Sequence, residues 1–241
     1  MLYLIGLGLN LKSISLEALE AVKKSKINYL ESYTVDFPYK IQELEKVLGK
    51  GFIILDRDQV ESLEFLNEAK KKNVCLLVYG SPLAATTHQA IIDECKKKKI
   101  KCVIYDNASI FGAISLTGLQ IYKFGKTASM PQWKDNFNPD SFVEIIKQNR
   151  GMGAHSLLLI DIGLDFIFAL NQFAKIINTK KMKIEKMIVA SCLGTEKQKI
   201  VYGSFKELSE EKISSPYVFI IPGKLHFIEG EVLKEWEIIE K

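Results

Sequence analysis

Short apolar runs alternate with amphipathic segments along the first hundred residues of the chain. The apolar runs are strand-sized, and their continuity predicts strands that are buried on both faces; they are Leu2–Gly6, Ile27–Leu30, Phe52–Leu55, Val74–Tyr79 and Lys101–Tyr105. The segments between them have helical spacing; they are residues 15–25, Ile41–Leu48, Glu61–Lys72 and Ala85–Lys98. This alternation predicts parallel strands covered by helices, which is an α/β layer fold.

The second half of the chain has a different pattern, because its predicted strands follow one another more directly. The predicted strands are His155–Asp161, Ile188–Ser191, Lys199–Tyr202 and Val218–Pro222. The predicted helices are Phe111–Leu119, Pro139–Asn149 and Phe166–Ile177, and residues 122–133 are expected to form a loop or hairpin. We therefore expect a mixed sheet here. A boundary near residues 109–113 gives an N-terminal α/β domain of residues 1–110 and a C-terminal α/β domain of residues 111–241.

The composition is that of a soluble globular protein, with 47% hydrophobic and 26% charged residues among 241. No apolar run approaches the roughly 18 residues that a membrane span needs, and the first residues lack the pattern of a signal peptide. Four cysteines without a CxxC motif and three scattered histidines predict no metal site. A net charge of +4 does not require a nucleic acid partner. We expect a cytoplasmic protein with reduced thiols that binds neither membranes nor nucleic acid directly.

Three polar loops follow predicted strands, with the sequences GLGLN (6–10), GSPLAATTH (80–88) and DNASI (106–110). Ligands of α/β sheets bind at the carboxyl ends of the strands, so these loops are expected to line one crevice. The first loop suggests the dinucleotide pattern GxGxxG, but Leu11 stands at the position of the third glycine. That difference argues against a nicotinamide dehydrogenase.

Each loop also has an ordinary structural interpretation when it is taken alone. Ser81, Asn107 and Ser109 are plausible helix caps, and His88 is plausible as a helix-packing residue. The run Lys96–Lys99 suits a solvated helix end, with docking to an acidic partner as the alternative. The link of residues 191–203 is either a plain strand connection or a loop over a ligand.

Taken in order along the chain, the motifs resemble the diphthine synthases, a branch of the tetrapyrrole methylases. The motifs cover nearly the whole sequence; they are YLIGLGL, YGSPLAATTH, DNASIFGAISLTGLQIYKFGKT, AHSLLLIDI, GTEKQKIVYG and IPGKLH. The resemblance implies two α/β domains with S-adenosylmethionine held in the cleft between them, and a homodimer. It implies methylation of the aminocarboxypropyl-modified histidine of translation elongation factor 2, which gives diphthine in diphthamide biosynthesis.

Matched motif to motif, the resemblance implies a set of cofactor-binding residues and no assigned catalytic residue. The cofactor-binding residues are Leu9, Ser81, Ala84, Ser109, Ile110, Ile160, Tyr202 and His226. Several are apolar, and we expect them to contact the cofactor through main-chain groups.

One position departs from the family, which usually has Asp where this chain has Ser81. A lost charge-assisted hydrogen bond costs about 1.5–3 kcal/mol, or roughly a tenfold to hundredfold loss of affinity. This departure leaves open a non-catalytic S-adenosylmethionine-binding relative. A second alternative is a tetrapyrrole methyltransferase of the same fold, against which the run TGLQIYKFGKT argues.

Overall fold

The computed structural model describes residues 1–239, and in it the chain divides into two units, of which the second begins at Ala113. Five strands form the sheet of the first unit: β1 (Leu2–Gly6), β2 (Ile27–Glu31), β3 (Ile53–Leu55), β4 (Val74–Val78) and β5 (Cys102–Tyr105). All pairings are parallel, in the order β3-β2-β4-β1-β5. The parallel sheet predicted from the alternating pattern is thereby confirmed.

The inner strands of this sheet are buried on both faces, as their continuous apolar runs predict. The edge strands differ from the prediction, because Ile53 and Ile54 of β3 and Ile104 of β5 are exposed. Along β1, Leu4 packs into the cluster of one face and Ile5 into the cluster of the other. The covering helices are α1 (Leu16–Lys24), α2 (Ile41–Leu48), α3 (Arg57–Glu61), α4 (Leu66–Ala69) and α5 (Gln89–Lys97). Ser15 caps α1 by accepting a hydrogen bond from the Ala18 amide, and α2 ends at Gly49 with a φ of 65°.

Two helices predicted in this unit have different bounds. Instead of one helix over Glu61–Lys72, the chain forms α3 and α4, separated by Leu63 with a φ of 60°. A capping box between Asp56 and Gln59 starts α3 earlier than expected, and the break lets Phe65 and Leu66 reach the core.

The helix predicted over Ala85–Lys98 begins four residues later, at the start of α5. The carbonyl oxygen of Pro82 accepts hydrogen bonds from Thr86 Oγ1 (2.7 Å) and His88 Nδ1 (2.9 Å). These two bonds hold the intervening residues in a turn, in which Ala85 has a φ of 57°.

The second unit contains a mixed sheet, which confirms that prediction. Its strands are β6 (Ala128–Met130), β7 (Ser156–Ile160), β8 (Met187–Ser191), β9 (Lys199–Gly203) and β10 (Tyr217–Ile221), in the order β6-β7-β10-β8-β9. The pair β6–β7 is parallel and the other pairs are antiparallel. The helix α6 (Ile110–Ala113) spans the point in the chain where the first unit ends. The helices of the second unit are α7 (Phe142–Gly151), α8 (Phe166–Thr179), α9 (Phe205–Ser209) and α10 (Phe227–Glu235), with 3-10 turns at Ile114–Thr117 and Ile121–Lys123.

Two predictions for this unit are wrong in detail. Residues 122–133 do not form a hairpin, because β6 pairs in parallel with β7. The helix predicted from Pro139 begins at Phe142, after the N-cap Ser141, and the Pro139 carbonyl instead accepts a hydrogen bond from the Trp133 indole (3.2 Å). The short helices α9 and α10 were not predicted.

Two further observations concern residues 1–239 only. Among them no helix has the length and apolar character needed to cross a membrane. No three or more of their His, Cys, Asp and Glu side chains are grouped so that they could hold a metal ion.

Candidate active site

The three polar loops of the first unit lie together, because β4, β1 and β5 are neighbours in the sheet. We call the edge formed by residues 6–10, 80–88 and 106–110 the three-loop edge. Gly8 and Gly80 exchange backbone hydrogen bonds of 3.1 and 3.0 Å. The Tyr79 hydroxyl donates to the Leu9 carbonyl at 2.8 Å. The convergence expected from strand order is therefore present.

Asn107 fastens the third loop to the first. Its Nδ2 donates to the carbonyl oxygens of Gly6 (3.0 Å) and Ser13 (2.9 Å), and its Oδ1 accepts from the Ala108 amide. The side-chain amide of Asn107 thus joins two loops. It does not cap a helix, which was one interpretation of the sequence.

The glycines of the three-loop edge serve two different needs. A Cβ on Gly6 would lie 2.6 Å from the Gly80 carbonyl oxygen, and one on Gly8, where φ is 72°, would lie 2.5 Å from Ser13 Oγ. These two glycines are required by the packing of the loops on each other. Gly80 has a φ of 71°, and the nearest atom to an added Cβ is the Ala108 carbonyl oxygen at 3.6 Å. A Cβ on Gly80 would make only ordinary contacts, so this glycine serves the left-handed backbone rather than close packing.

His88 is buried at the base of the second loop, with 1% of its surface exposed. Because a carbonyl oxygen can only accept, His88 Nδ1 carries the proton that is donated to Pro82. Within the described residues, Nε2 is buried without a hydrogen-bond partner. The helix-packing interpretation of His88 accounts for Nδ1 but not for Nε2.

Five of the expected cofactor-binding residues belong to the three-loop edge. Each is half-buried; they are Leu9, Ser81, Ala84, Ser109 and Ile110. The Ala84 amide donates to the Ser81 carbonyl at 3.3 Å, which fixes that turn. The structure therefore brings these five residues together on one edge.

The three expected residues of the second unit are not gathered in this way. Tyr202 of β9 pairs with Ile188 of β8, which pairs with Ile220 of β10, and Ile220 pairs with Leu157 of β7. Tyr202 therefore lies at the same level of the sheet as Leu157. Ile160 lies three residues further along β7, which is roughly 10 Å along the strand direction, and β10 and β8 lie between β7 and β9.

Tyr202 lines a cavity of about 300 Å³ within the second unit. The other lining residues are Arg150, Lys183, Ile184, Glu185, Lys186, Ile221, Pro222, Gly223 and Leu225. Lys186 Nζ lies 5.9 Å from the centre of the Tyr202 ring, and burial raises the pKa of the Tyr202 phenol. The cavity thus joins Tyr202 to the loop that carries His226.

His226 is exposed and caps α10. Its amide donates to Glu229 Oε2 at 2.7 Å, and its Nδ1 accepts from the Ile228 amide at 3.4 Å. Its ring lies 4.3 Å from the ring of Phe227. The capping role fixes the backbone of His226 and leaves the Nε2 side of the ring exposed.

A buried polar cluster beneath His226 was missed by the sequence analysis. Glu229 and His155 are completely buried, and His155 Nε2 donates to Glu229 Oε1 at 3.0 Å, since its Nδ1 accepts from the Gly223 amide. Lys123 donates to the other oxygen of Glu229. Burial raises the pKa of Glu229, but hydrogen bonds from Lys123, from two backbone amides and from His155 outweigh it and lower the pKa to about 2.

The same cluster keeps His155 neutral, because burial lowers the pKa of its imidazole more than Glu229 raises it. The cluster joins the 3-10 turn that contains Lys123 to the first turn of α10. Its only local sequence signal is the pattern from His226 to Glu229, which matches the spacing of a capping box. His155 lies 74 residues earlier.

The chain is similar to known proteins over most of its length. A family model described as Tetrapyrrole (Corrin/Porphyrin) Methylases matches residues 1–209. A diphthine synthase of Methanocaldococcus jannaschii is 39% identical, with 97% of this chain and 98% of that relative covered. The "Probable diphthine methyl ester synthase" of Arabidopsis thaliana is 34% identical, with 97% of each protein covered. A crystal structure of a diphthine synthase matches with a TM-score of 0.88 at 33% identity, covering 98% of this chain and 95% of that one.

Proposed function

This chain belongs to the diphthine synthases within the tetrapyrrole methylase family, and from that premise we propose that its acceptor is translation elongation factor 2. The chain is an S-adenosylmethionine-dependent methyltransferase of diphthamide biosynthesis. The proposed reaction is methylation of the amino group on the aminocarboxypropyl-modified histidine of that factor, which gives diphthine. The observation that carries the proposal is the three-loop edge, where five of the expected cofactor-binding residues lie at the ends of three neighbouring strands.

The residues of the three-loop edge fit an S-adenosylmethionine molecule. Gly80 has a φ of 71°, and a Cβ added there would meet the Ala108 carbonyl oxygen at 3.6 Å and Leu9 Cδ2 at 4.0 Å, which are ordinary contacts. The edge also carries half-buried apolar residues, Leu9, Ala84 and Ile110, and two residues with hydroxyl groups, Ser81 and Ser109. Apolar walls with a few polar groups are typical of small-molecule sites. In the second unit we propose Ile160, Tyr202 and His226 as further contacts.

Methyl transfer from S-adenosylmethionine requires few catalytic groups from the protein. When bound, S-adenosylmethionine supplies a methyl group on a positively charged sulfur, and the leaving group needs no acid. The acceptor amine must lose its proton, which desolvation or nearby positive charge favours. The remaining requirement is alignment of the amine with the methyl group.

We propose no indispensable general base for this site. The titratable groups at the base of the second loop hold the loops in place: the Tyr79 hydroxyl donates to Leu9 and His88 Nδ1 donates to Pro82. The variants Tyr79→Phe and His88→Asn should therefore lower turnover only as far as they weaken binding. A loss of turnover by several orders of magnitude, with both binding affinities intact, would contradict this.

The acceptor is tested by label transfer from radioactive S-adenosylmethionine to two forms of elongation factor 2. One form carries the aminocarboxypropyl group and the other is unmodified. Label on the modified form alone supports the proposal. Label on a tetrapyrrole but on neither protein form would identify the first alternative. Saturable cofactor binding without any labelled product would identify the non-catalytic relative.

The departure at Ser81 has a direct test with a matched control. Ser81→Asp restores the carboxylate that the family usually has, and Ser209→Asp adds the same charge to an exposed position of α9. We expect the first variant to bind S-adenosylmethionine tenfold to hundredfold more tightly, and the second to bind it unchanged. Equal affinities would show that Ser81 does not face the cofactor.

Three further assignments belong to this proposal. We propose a homodimer, a cytoplasmic location, and domains of residues 1–110 and 111–241. The homodimer rests on the family resemblance of the motifs, and the location and domain bounds rest on the sequence. Sedimentation of the whole protein would measure its oligomeric state, and a monomer at micromolar concentration would refute the first.

A further inference from the structure

Lysines are concentrated at the end of the first sheet that lies opposite the three-loop edge. Four strands of this sheet follow a helix directly, and the connecting residues are 25–26, 49–52, 70–73 and 98–101. Because the strands are parallel, these connections share the amino-end edge of the sheet. We call them together the basic edge. Among their fourteen residues eight are lysine, and none is aspartate or glutamate.

The connections of the basic edge form a row, because their strands belong to one sheet. The outer strands β3 and β5 are separated by four strand spacings, which is about 19 Å at about 4.8 Å each. Backbone hydrogen bonds hold the row in place. The Lys26 amide donates to the Asn73 carbonyl at 2.9 Å, and the Leu2 amide donates to the Lys101 carbonyl at 2.9 Å. The sheet therefore sets where the lysines of this row begin.

Five of the eight lysines on the basic edge have no anionic partner. The other three are engaged: Lys72 and Lys98 each pair with a glutamate of the preceding helix, and Lys50 donates to carbonyl oxygens at the end of α1. The remaining five are exposed, and within residues 1–239 none of them forms an ion pair; they are Lys26, Lys70, Lys71, Lys99 and Lys101. Their ammonium groups are therefore available to an anion from outside the chain.

The dipoles of the preceding helices explain only part of this positive charge. A helix C-terminus carries about half a negative charge, so the ends of α1, α2 and α5 together supply about −1.5. The five unpaired lysines exceed that amount. Because the whole chain has a net charge of only +4, the excess is local to this edge. The expectation that the chain binds no nucleic acid rested on the net charge, which does not reveal such an asymmetry.

The surroundings of these lysines favour a nucleic acid over a protein as their partner. Among the described residues, none of the large exposed apolar side chains belongs to the basic edge. Protein interfaces depend on apolar and aromatic anchors, whereas interfaces with nucleic acid are more polar and much more positively charged. Lysine binds a phosphate as a point charge, and phosphate contacts carry no sequence information. The edge thus has the groups that hold a phosphate backbone and lacks groups that would read bases.

We propose that the basic edge binds a single strand of nucleic acid through its phosphate groups, without selecting a sequence. A stacked strand places one phosphate about every 3.4 Å, so a row of about 19 Å spans about six phosphates. The strands of the sheet are about five residues long, which separates the basic edge from the three-loop edge by roughly 17 Å. The bound strand therefore leaves the three-loop edge free.

Fluorescence anisotropy of a labelled 12-nucleotide oligouridylate tests the proposal on the whole protein. The assay needs neither cofactor nor acceptor, so its result is independent of the proposed function. With five lysines in contact, the logarithm of the association constant should fall with the logarithm of the salt concentration with a slope of about −3.5.

Two variants with equal net charge locate the binding surface. The edge variant should bind at least about tenfold more weakly, with a slope closer to zero, because it loses the five contacts; it combines Lys26→Gln, Lys70→Gln, Lys71→Gln, Lys99→Gln and Lys101→Gln. The control variant should bind within about threefold of the wild type, since the five lysines that it replaces are exposed outside the basic edge; it combines Lys40→Gln, Lys134→Gln, Lys181→Gln, Lys206→Gln and Lys212→Gln.

Lysine acetylation followed by mass spectrometry gives a second measurement on the unaltered protein. Bound oligouridylate should protect the five lysines of the edge variant and leave those of the control variant reactive. The proposal is overturned if the wild type does not bind the oligonucleotide at low salt, if both variants weaken binding equally, or if protection maps to other lysines. A 12-residue oligoglutamate that binds as tightly as the oligonucleotide, or more tightly, would also overturn it and would assign the basic edge to an acidic protein.

Discussion

Replacing Glu229 by glutamine tests the buried cluster that supports the start of α10. Glutamine has nearly the same shape as glutamate, but it is neutral and has one NH₂ group in place of an acceptor oxygen. Both oxygens of Glu229 accept hydrogen bonds: Oε1 from His155 and the Gln120 amide, and Oε2 from Lys123 and the His226 amide. In either orientation of the glutamine amide, its NH₂ group would face hydrogen-bond donors and could not accept from them.

The size of the effect follows from the charge that the cluster stabilises. The pKa of Glu229 falls from its ordinary value of 4.5 to about 2. At about 1.4 kcal/mol per pKa unit, the folded state favours the carboxylate by about 3 kcal/mol. Breaking a buried pair by removing one partner costs about 3–5 kcal/mol. We expect Glu229→Gln to lower the free energy of unfolding by about 3 kcal/mol at pH 7.

Urea unfolding followed by circular dichroism measures this loss, with Glu231→Gln as the matched control. Glu231 lies on the same helix in an exposed pair with Lys234, so its replacement should cost less than about 1 kcal/mol. The pH dependence gives a second check. Because the pKa of Glu229 is lowered by folding, its stabilisation is fully present above pH 4.5 and is lost as the pH falls toward about 2.

The difference between wild type and Glu229→Gln should therefore shrink over that interval. A loss below about 1 kcal/mol at pH 7, or a difference that does not change with pH, would refute the reasoning.

Other predictions concern the loops and their anchors. Gly8→Ala should destabilise the protein by about 2–4 kcal/mol in urea unfolding, because the left-handed backbone costs about 1–2 kcal/mol and the new Cβ would lie 2.5 Å from an oxygen. Gly49 also has a positive φ, of 65°, but no atom lies within 4 Å of an added Cβ. Gly49→Ala should therefore lower the free energy of unfolding by only about 1 kcal/mol. Equal losses for Gly8→Ala and Gly49→Ala would contradict the packing argument. Asn149→Ala should cost about 2–4 kcal/mol, since the buried Asn149 bonds both backbone groups of Lys126, whereas the exposed Gln148→Ala should be nearly neutral. Calorimetry measures the midpoint temperature of unfolding of both variants. A lower midpoint for Gln148→Ala than for Asn149→Ala would contradict the stabilising role of the Asn149 hydrogen bonds.

Continuous apolar runs and local capping signals were sufficient to predict most of the secondary structure. Strands such as Val74–Val78 are apolar throughout, and this identifies a strand buried on both faces whatever its partners are. Ser15 and Gly49 mark helix ends because their effects act within one turn of the backbone. Strand order along the chain also predicted that the polar loops would share one edge.

Two of the elements that local patterns predicted wrongly have a form that depends on tertiary packing. β6 is three residues long, and only its parallel pairing with β7 makes it a strand. The expected helix over Glu61–Lys72 is broken at Leu63, where burial of Phe65 and Leu66 prevails over helical spacing. Periodicity describes which face of an element is apolar, but it does not describe what that face must pack against.

The sequence by itself determined the fold class, the two kinds of sheet and the motifs by which the chain resembles its family. Only the tertiary structure decided which of the residues meet. It joined His155 to Glu229 across 74 positions and separated Ile160 from Tyr202 by strand register. It also showed that Gly6 and Gly8 serve loop packing, while Gly80 serves a left-handed backbone conformation. The physical reason is that propensities and caps act over a few residues, whereas hydrogen bonds and close packing act between whichever groups the folded backbone brings into contact.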